Sequence, residues 1–215
     1  MRDGERMVAA PRAFGRRDPL LEAPANALPL RAEDLTHHRA QVEAIRREAR
    51  LLTAGLTDEQ FNWQPDPSRW SLAHCLQHLV ISADGLLERQ RAAIERARAR
   101  GLLSDGPYRH GRIGSMIASS IEPPIRRRFK SSRAIRPSGR HSVDALVSAF
   151  DRRQEQILEV IDAATGVDLG RARVPLPGLP LLRLSLGQSI WFTIAHERRH
   201  LWQARAVREE PAFPG

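Results

Sequence analysis

Apolar residues recur at helical spacing in four stretches of the chain. In the first, Leu35, His38, Val42, Ile45, Ala49, Leu52 and Leu56 step by alternating threes and fours, which stacks them on one seam. Gly55 marks the end of this helix. Thr57-Asp58-Glu59-Gln60 has capping-box form and predicts a short helical turn, stopped by Pro65 and Pro67. The second long helix is predicted from an N-cap at Ser71 to about Arg100, with Trp70 and Cys75 at the staple positions. Leu72, Leu76, Leu79, Ala83, Leu86 and Gln90 share its face, and Gly101 stops it. Ser142 is the expected cap of the third helix, whose stripe is Val143, Leu146, Val147, Phe150, Ile157, Leu158 and Ile161. Gly166 and Gly170 close it. Pro175, Pro177, Gly178 and Pro180 predict a rigid loop. The fourth helix is expected from about Ser185 to Glu209. Its first half, Leu186 to Ala195, is apolar on nearly every side, the mark of a helix buried on several sides.

Residues 1–30 lack periodicity and hold Pro11, Pro19, Pro24 and Pro29, so they read as a flexible lead-in. Residues 31–209 form the expected domain, and 210–215 a short tail. The connection 101–141 is long; Ile113, Met116, Ile117 and Ile121 predict a short helix in it, ended by Pro123-Pro124. No segment alternates as a strand and no repeat is visible. The expected class is therefore all-α, a four-helix bundle around one core.

Composition narrows the picture. The chain has 215 residues, 41% of them hydrophobic, which excludes disorder of the whole. No apolar run approaches the ~18 residues of a spanning helix, so no membrane partner is expected. One cysteine, Cys75, excludes an internal disulfide framework and a cysteine-based zinc ribbon; its expected place is the core. The charged start, Met1 to Ala10, is followed by no apolar stretch of signal-peptide type, and the expected location is cytoplasmic.

The formal charge is +9, which invites a nucleic-acid reading. Most of it sits in one place. Residues 101–141 carry nine basic side chains against two acidic, a net +7, whereas residues 142–215 balance at nine and nine. The centre is Arg126-Arg127-Arg128-Phe129-Lys130, and Lys130 is the only lysine. Arg126, Arg127 and Arg128 are candidates for an anion patch. No nucleic-acid-binding motif accompanies them, so nucleic acid is not an expected partner and the favoured reading is a solvated, arginine-rich connector.

The histidines carry the candidate chemistry. His74/His78 and His196/His200 are each spaced i,i+4, which puts both rings on one helix face within reach of a shared metal. His196-Glu197-Arg198-Arg199-His200 also reads H-E-x-x-H. A zincin is disfavoured because only 15 residues follow His200 and the position six beyond it is Ala206. A third ligand must come from upstream. If the second and fourth helices pack antiparallel, His78 and His200 lie at one level of the bundle. His38 falls near the opposite end and is expected as a tucked-in histidine. At about 100° per residue, His74 falls about 40° further than His78 from the centre of the apolar face. His78 is therefore preferred as ligand, with His74 outside the ligand set or on the surface. Ser82 and Gln203 are candidates to hold a water or orient an imidazole. Three histidines with a fourth position open is the pattern of a catalytic metal site. The ligand type suits Zn, Ni, Fe or Co without choosing among them.

The runs Trp70-Ser71-Leu72-Ala73-His74-Cys75-Leu76-Gln77-His78-Leu79 and Ala195-His196-Glu197-Arg198-Arg199-His200-Leu201-Trp202-Gln203, with Asn62-Trp63-Gln64-Pro65, resemble the DinB-like superfamily over roughly residues 34–208. Pro123-Pro124 and the basic run after it resemble the connector of one branch. The resemblance implies an up-down-down-up four-helix bundle with a long crossover between the second and third long helices. It also implies a divalent metal held by one histidine of the second helix and H-x-x-x-H of the fourth, which map onto His78, His196 and His200. Characterised relatives include transferases and isomerases that use low-molecular-weight thiols of bacteria, the metal being thought to make the thiol a thiolate.

The first functional expectation is thus a metal-dependent transferase joining a small thiol to a small electrophile, with the arginine patch holding the thiol's carboxylates if the connector folds over the site. The second is a metal-dependent hydrolase with Glu197 as base, although Glu197 lies about 100° around the helix from His196. The third is a non-enzymatic binding module with a structural metal. A homodimer is one expectation for its assembly.

Overall fold

Four long helices dominate the computed structural model: α1 (Asp34–Thr53), α3 (Leu72–Ala99), α4 (Val143–Ala163) and α5 (Leu186–Arg208). The short α2 (Asp58–Asn62) joins the first two, and a hairpin of β1 (Arg173–Leu176) and β2 (Leu179–Ser185) leads into α5. The structure describes residues 34–105, 108, 116, 119–124, 133–176 and 179–215. The lead-in 1–30, most of the expected helix around Ile113 and Ile117, and Arg126, Arg127 and Arg128 lie outside the described residues; Met116 and residues 119–121 are helical.

The helix starts follow local chemistry. Thr57 with Gln60, Ser71 with His74 and Ser185 with Gln188 each form a reciprocal capping box, which satisfies two backbone donors that the first turn leaves open. The expected cap of α4 is different. Ser142 stands at the N-cap but its hydroxyl makes no capping bond. Asp58 of α2 accepts from the Val143 N–H instead, at 2.8 Å, placing a carboxylate at the positive end of the helix. Gly55, Gly101 and Gly166 have positive φ where the chain leaves α1, α3 and α4, the left-handed turn that ends a helix at least cost with glycine.

Helix α1 packs on α4 and α5, and α3 packs on the same two. Ion pairs and hydrogen bonds record the order of contacts. From α1 to α4, Arg39 meets Asp162, Arg46 meets Glu155 and Asp151, and Arg50 meets Asp151. From α3 to α4, Asp84 meets Arg153, Arg91 meets Glu159, and Arg98 donates to the Ala163 carbonyl. Glu48 of α1 pairs with Arg205 of α5, and Arg208 donates to the carbonyls of Leu51 and Leu52.

The predicted seams face inward. Val42, Ile45, Ala49 and Leu52 of α1, Leu72, Leu76 and Leu79 of α3, Phe150, Ile157 and Ile161 of α4, and Leu186, Ile190 and Ile194 of α5 are buried in one cluster. Cys75 lies there too, and burial pushes its thiol far up from the ordinary value. The core is therefore its environment, as its sequence position suggested.

The hairpin corrects the expected loop after α4. Val174 pairs with Leu184 and both are buried, while Arg173 and Arg183 beside them are exposed. The alternation is real but only four residues long in β1, and Pro175 interrupts the pattern. Prolines survive here because a two-stranded ribbon leaves each strand with an unpaired edge. No helix among the described residues is long and apolar enough to cross a membrane.

The core reading makes a quantitative prediction. Phe150→Ala should lower the free energy of unfolding by ~3–5 kcal/mol, because its ring is fully buried. Truncating the exposed Leu51 should cost within about 0.5 kcal/mol. Urea unfolding of the two variants measures the difference.

Candidate metal centre

The α3–α5 contact builds the site. Its deeper part is a polar rung: Gln90 donates to the hydroxyls of Ser189 and Thr193, at 2.9 and 3.0 Å. Twelve residues earlier on α3, His78 faces α5 again. Its Nε2 stands 3.1 Å from Nε2 of His196, and Nε2 of His200 stands 3.2 Å from the same atom. The three imidazoles meet edge to face. His78 and His200 are buried, and His196 is half-buried.

The remaining ring nitrogens decide what this group can hold. The Nδ1–H of His78 donates to the Ile135 carbonyl at 2.7 Å. The Nδ1–H of His200 donates to Oε1 of Gln203 at 3.2 Å. A neutral imidazole carries one N–H, so both Nε2 atoms present lone pairs to the centre. Protonation offers no relief at neutral pH. Burial first, then the charges of His78 and Arg199, push His196 down to about 3. Burial, with His196, His78 and Arg199 adding to it and the Gln203 bond opposing, holds His200 well below its usual value. Burial also lowers His78, against the opposing bond to Ile135.

Neutral imidazoles with convergent lone pairs suit a divalent cation. Nitrogens bound to one zinc at ~2.0–2.1 Å and near-tetrahedral angles stand about 3.3 Å apart, close to the two separations from His196, and all three ligand atoms lie within 4.8 Å of one another. The buried His78/His196/His200 cluster is thus compatible with a divalent metal. Among the described residues no fourth His, Cys, Asp or Glu joins it.

Aromatic rings wall the cluster. Trp70 stacks on His200 with centroids 5.5 Å apart and tilts against His78 at 5.0 Å. Phe192 stacks on His196 at 6.1 Å. In the sequence, Trp70 reads as a staple residue and as the first residue of the family-like run, and Phe192 only as one apolar position of α5. The signals were the residue before the N-cap and the residue one turn before His196.

The other candidates fall in separate places. Gln203 touches His200 directly. The Ser82 hydroxyl turns back to the Leu79 carbonyl of its own helix at 3.3 Å. His74 closes the α3 capping box, its Nδ1 accepting from the Ser71 N–H. His38 is buried on α1 beside Gln41, 3.2 Å away. Glu197 faces α4, where Oε1 accepts from Nε2 of Gln154 at 2.7 Å. Arg198, the next residue, is locked to Glu122 of the connector, which also accepts from the Trp191 indole N–H at 2.9 Å. Ile121 packs with Trp191 and Ala195 at the same place. Arg199 is buried and close enough to His196 and His200 for its charge to lower both.

Glu197 yields a test with a defined sign. Burial pushes its carboxyl up to about 7, against opposing contributions from Gln154 and Arg198. Its folded pKa is raised above the unfolded value of 4.5, so between those values the folded state holds a proton that the unfolded chain releases. Its share of stability is present at low pH and lost as pH rises through about 7. In Glu197→Gln the amide can donate to Gln154 Oε1, which is buried without a partner. That variant should gain stability at pH 8, by up to about 3 kcal/mol, and the gain should vanish below pH 4.5. Urea unfolding at the two pH values decides it; an equal gain at both would contradict the assignment.

Comparison with known proteins yields no match among curated proteins and none among solved structures. The sequence profile described as the DinB superfamily does match, over residues 41–204. That span runs from within α1 to within α5 and includes all three clustered histidines. The chain belongs to the DinB superfamily.

Proposed function

We propose that this chain is a metal-dependent transferase that joins a low-molecular-weight thiol to a small electrophile. The observation that carries the reading is the convergence of three neutral Nε2 atoms with no fourth protein donor among the described residues. His78, His196 and His200 would hold a divalent metal, such as Zn, Ni or Fe. When bound, the metal supplies Lewis acidity that favours thiolate over thiol at neutral pH.

The protein's own part follows from its contacts. Ile135 and Gln203 fix two of the imidazoles in the tautomer that leaves Nε2 free. Trp70 and Phe192 cover ring faces, which gives the imidazoles apolar surroundings where electrostatic interactions are stronger than in water. Arg199 brings a buried positive charge beside His196 and His200, suited to the carboxylate that small cellular thiols commonly carry. Arg126, Arg127 and Arg128 would add to that role. The hydrolase reading is the less favoured of the two, because Glu197 turns toward Gln154 on the α4 side.

The same reading takes residues 31–209 as one domain of up-down-down-up type, with 101–141 as its crossover. The contact order supports it, rising together from α3 to α4 and in opposite senses from α1 to α4. A small-molecule substrate and a cytoplasmic location belong to this reading.

Elemental analysis of purified protein should find about one divalent metal per chain. The variant carrying His78→Ala, His196→Ala and His200→Ala together should lose it; wild-type metal content in that variant would refute the ligand set. Metal-loaded protein incubated with glutathione, bacillithiol or mycothiol and a chloro-aromatic electrophile should release chloride in a thiol-dependent manner. Absence of turnover with all three thiols, beside active controls, would leave the metal site standing and reject the transferase.

A further inference from the structure

The end of the long connection lies across the first turns of α3. His78 donates to the Ile135 carbonyl at 2.7 Å, and Ile135 belongs to a short helical turn, Arg133–Ile135. Three residues on, the Ser138 N–H donates to Oε1 of Gln77 at 2.8 Å. The Gly139 backbone lies near enough to the His74 ring to favour its proton. At His141 both backbone groups are taken by one side chain: its N–H donates to Oδ1 of Asn62 at 2.9 Å, and its carbonyl accepts from Nδ2 of Asn62 at 2.7 Å. Pro137 is buried within this stretch while Ser138, Gly139 and Arg140 are exposed. A segment so poor in apolar cover is held chiefly by these bonds.

The arrangement gives His74 and Gln77, two positions outside the three-histidine cluster, a shared purpose with Asn62 of α2. We propose that Asn62, His74 and Gln77 are positioning residues: they strap residues 135–141 onto α3 so that the Ile135 carbonyl fixes His78 in its Nδ1–H tautomer with Nε2 aimed at the cluster. A backbone carbonyl has no side chain of its own to set it, so its aim depends on the anchors on either side of it. Helix α3 fixes the ring's origin, and the strap fixes its rotation and its proton. This is the way outer partners of metal-binding histidines control ligand geometry. The inference rests on the metal reading for its effect on affinity, but its effect on the tautomer stands apart from any metal.

The test uses full-length protein labelled with 15N-histidine, prepared metal-free, as wild type, Gln77→Ala, Gln77→Glu, and Asn62→Ala combined with Gln77→Ala. Long-range 15N–1H correlation spectra report each imidazole's tautomer, and loss of its signals in His78→Ala assigns His78. Wild type should show His78 as the Nδ1–H form alone. The double variant should show both tautomers in exchange, and Gln77→Glu, which keeps an acceptor for Ser138, should restore the wild-type spectrum. Cobalt(II) titration provides the second readout: the double variant should bind ~10–100-fold more weakly, with an altered visible spectrum at saturation. A pure Nδ1–H tautomer in the double variant, with unchanged cobalt affinity and spectrum, overturns the proposal. Loss of the helical circular dichroism alone, with the tautomer retained, also overturns it, because the three residues would then serve only the fold. If wild type binds no cobalt, the metal reading fails while the tautomer spectra still decide the strap.

Discussion

The candidate chemistry of this molecule depends on three ring nitrogens being brought together, Nε2 of His196 lying 3.1 Å from that of His78 and 3.2 Å from that of His200. Imidazoles withdrawn from water lose their affinity for protons, so the charge that could fill the centre must come from elsewhere. Two of the rings have committed their only N–H to Ile135 and Gln203. Their Nε2 atoms therefore face His196 as acceptors, and a divalent cation at the centre would engage the lone pairs of all three rings at once.

Helix α5 bears the cost of this arrangement. It is buried nearly all round in its first half, and its second half brings Glu197, Arg198, Arg199 and His200 into the interior in succession. Buried ionisable groups survive when they are paired or neutralised. Each of three uses a different device. Arg198 has a bidentate partner in Glu122. Glu197 keeps its proton near neutral pH and leans on Gln154. His200 stays neutral. Arg199 is buried next to them, and its charge lowers the proton affinity of His196 and His200.

Much of this could be read from the chain. The four seams were legible because a bundle core imposes the 3.6-residue period directly on side-chain polarity, and the alternation of threes and fours from Leu35 to Leu56 has no other simple cause. The meeting of His78 with His196 and His200 was legible for the same geometric reason: the angle and level of a residue on a packed helix decide what it faces. The hairpin was not legible. Its strands are short, Pro175 breaks the alternation, and two buried positions, Val174 and Leu184, cannot be told from an apolar loop. The Ile135 carbonyl was beyond reach altogether. It lies 57 residues from His78, and a backbone acceptor leaves no trace in side-chain identity. Ser142 does stand at the N-cap, but the bond to the first turn of α4 comes from Asp58, a tertiary contact that the local sequence does not announce.

The connector's charge takes a different meaning in this light. Nine basic side chains in residues 101–141 look like a surface for a polyanion if the segment is taken as loose. Its described parts are not loose. Ile121 and Glu122 dock on α5 beside Trp191 and Arg198, and residues 135–141 dock on α3 through His78, Gln77 and His74 and on α2 through Asn62. In the sequence, Arg126, Arg127, Arg128 and Lys130 fall between these two anchored stretches, so the basic run is bounded on both sides by segments docked on the helices that carry the histidines.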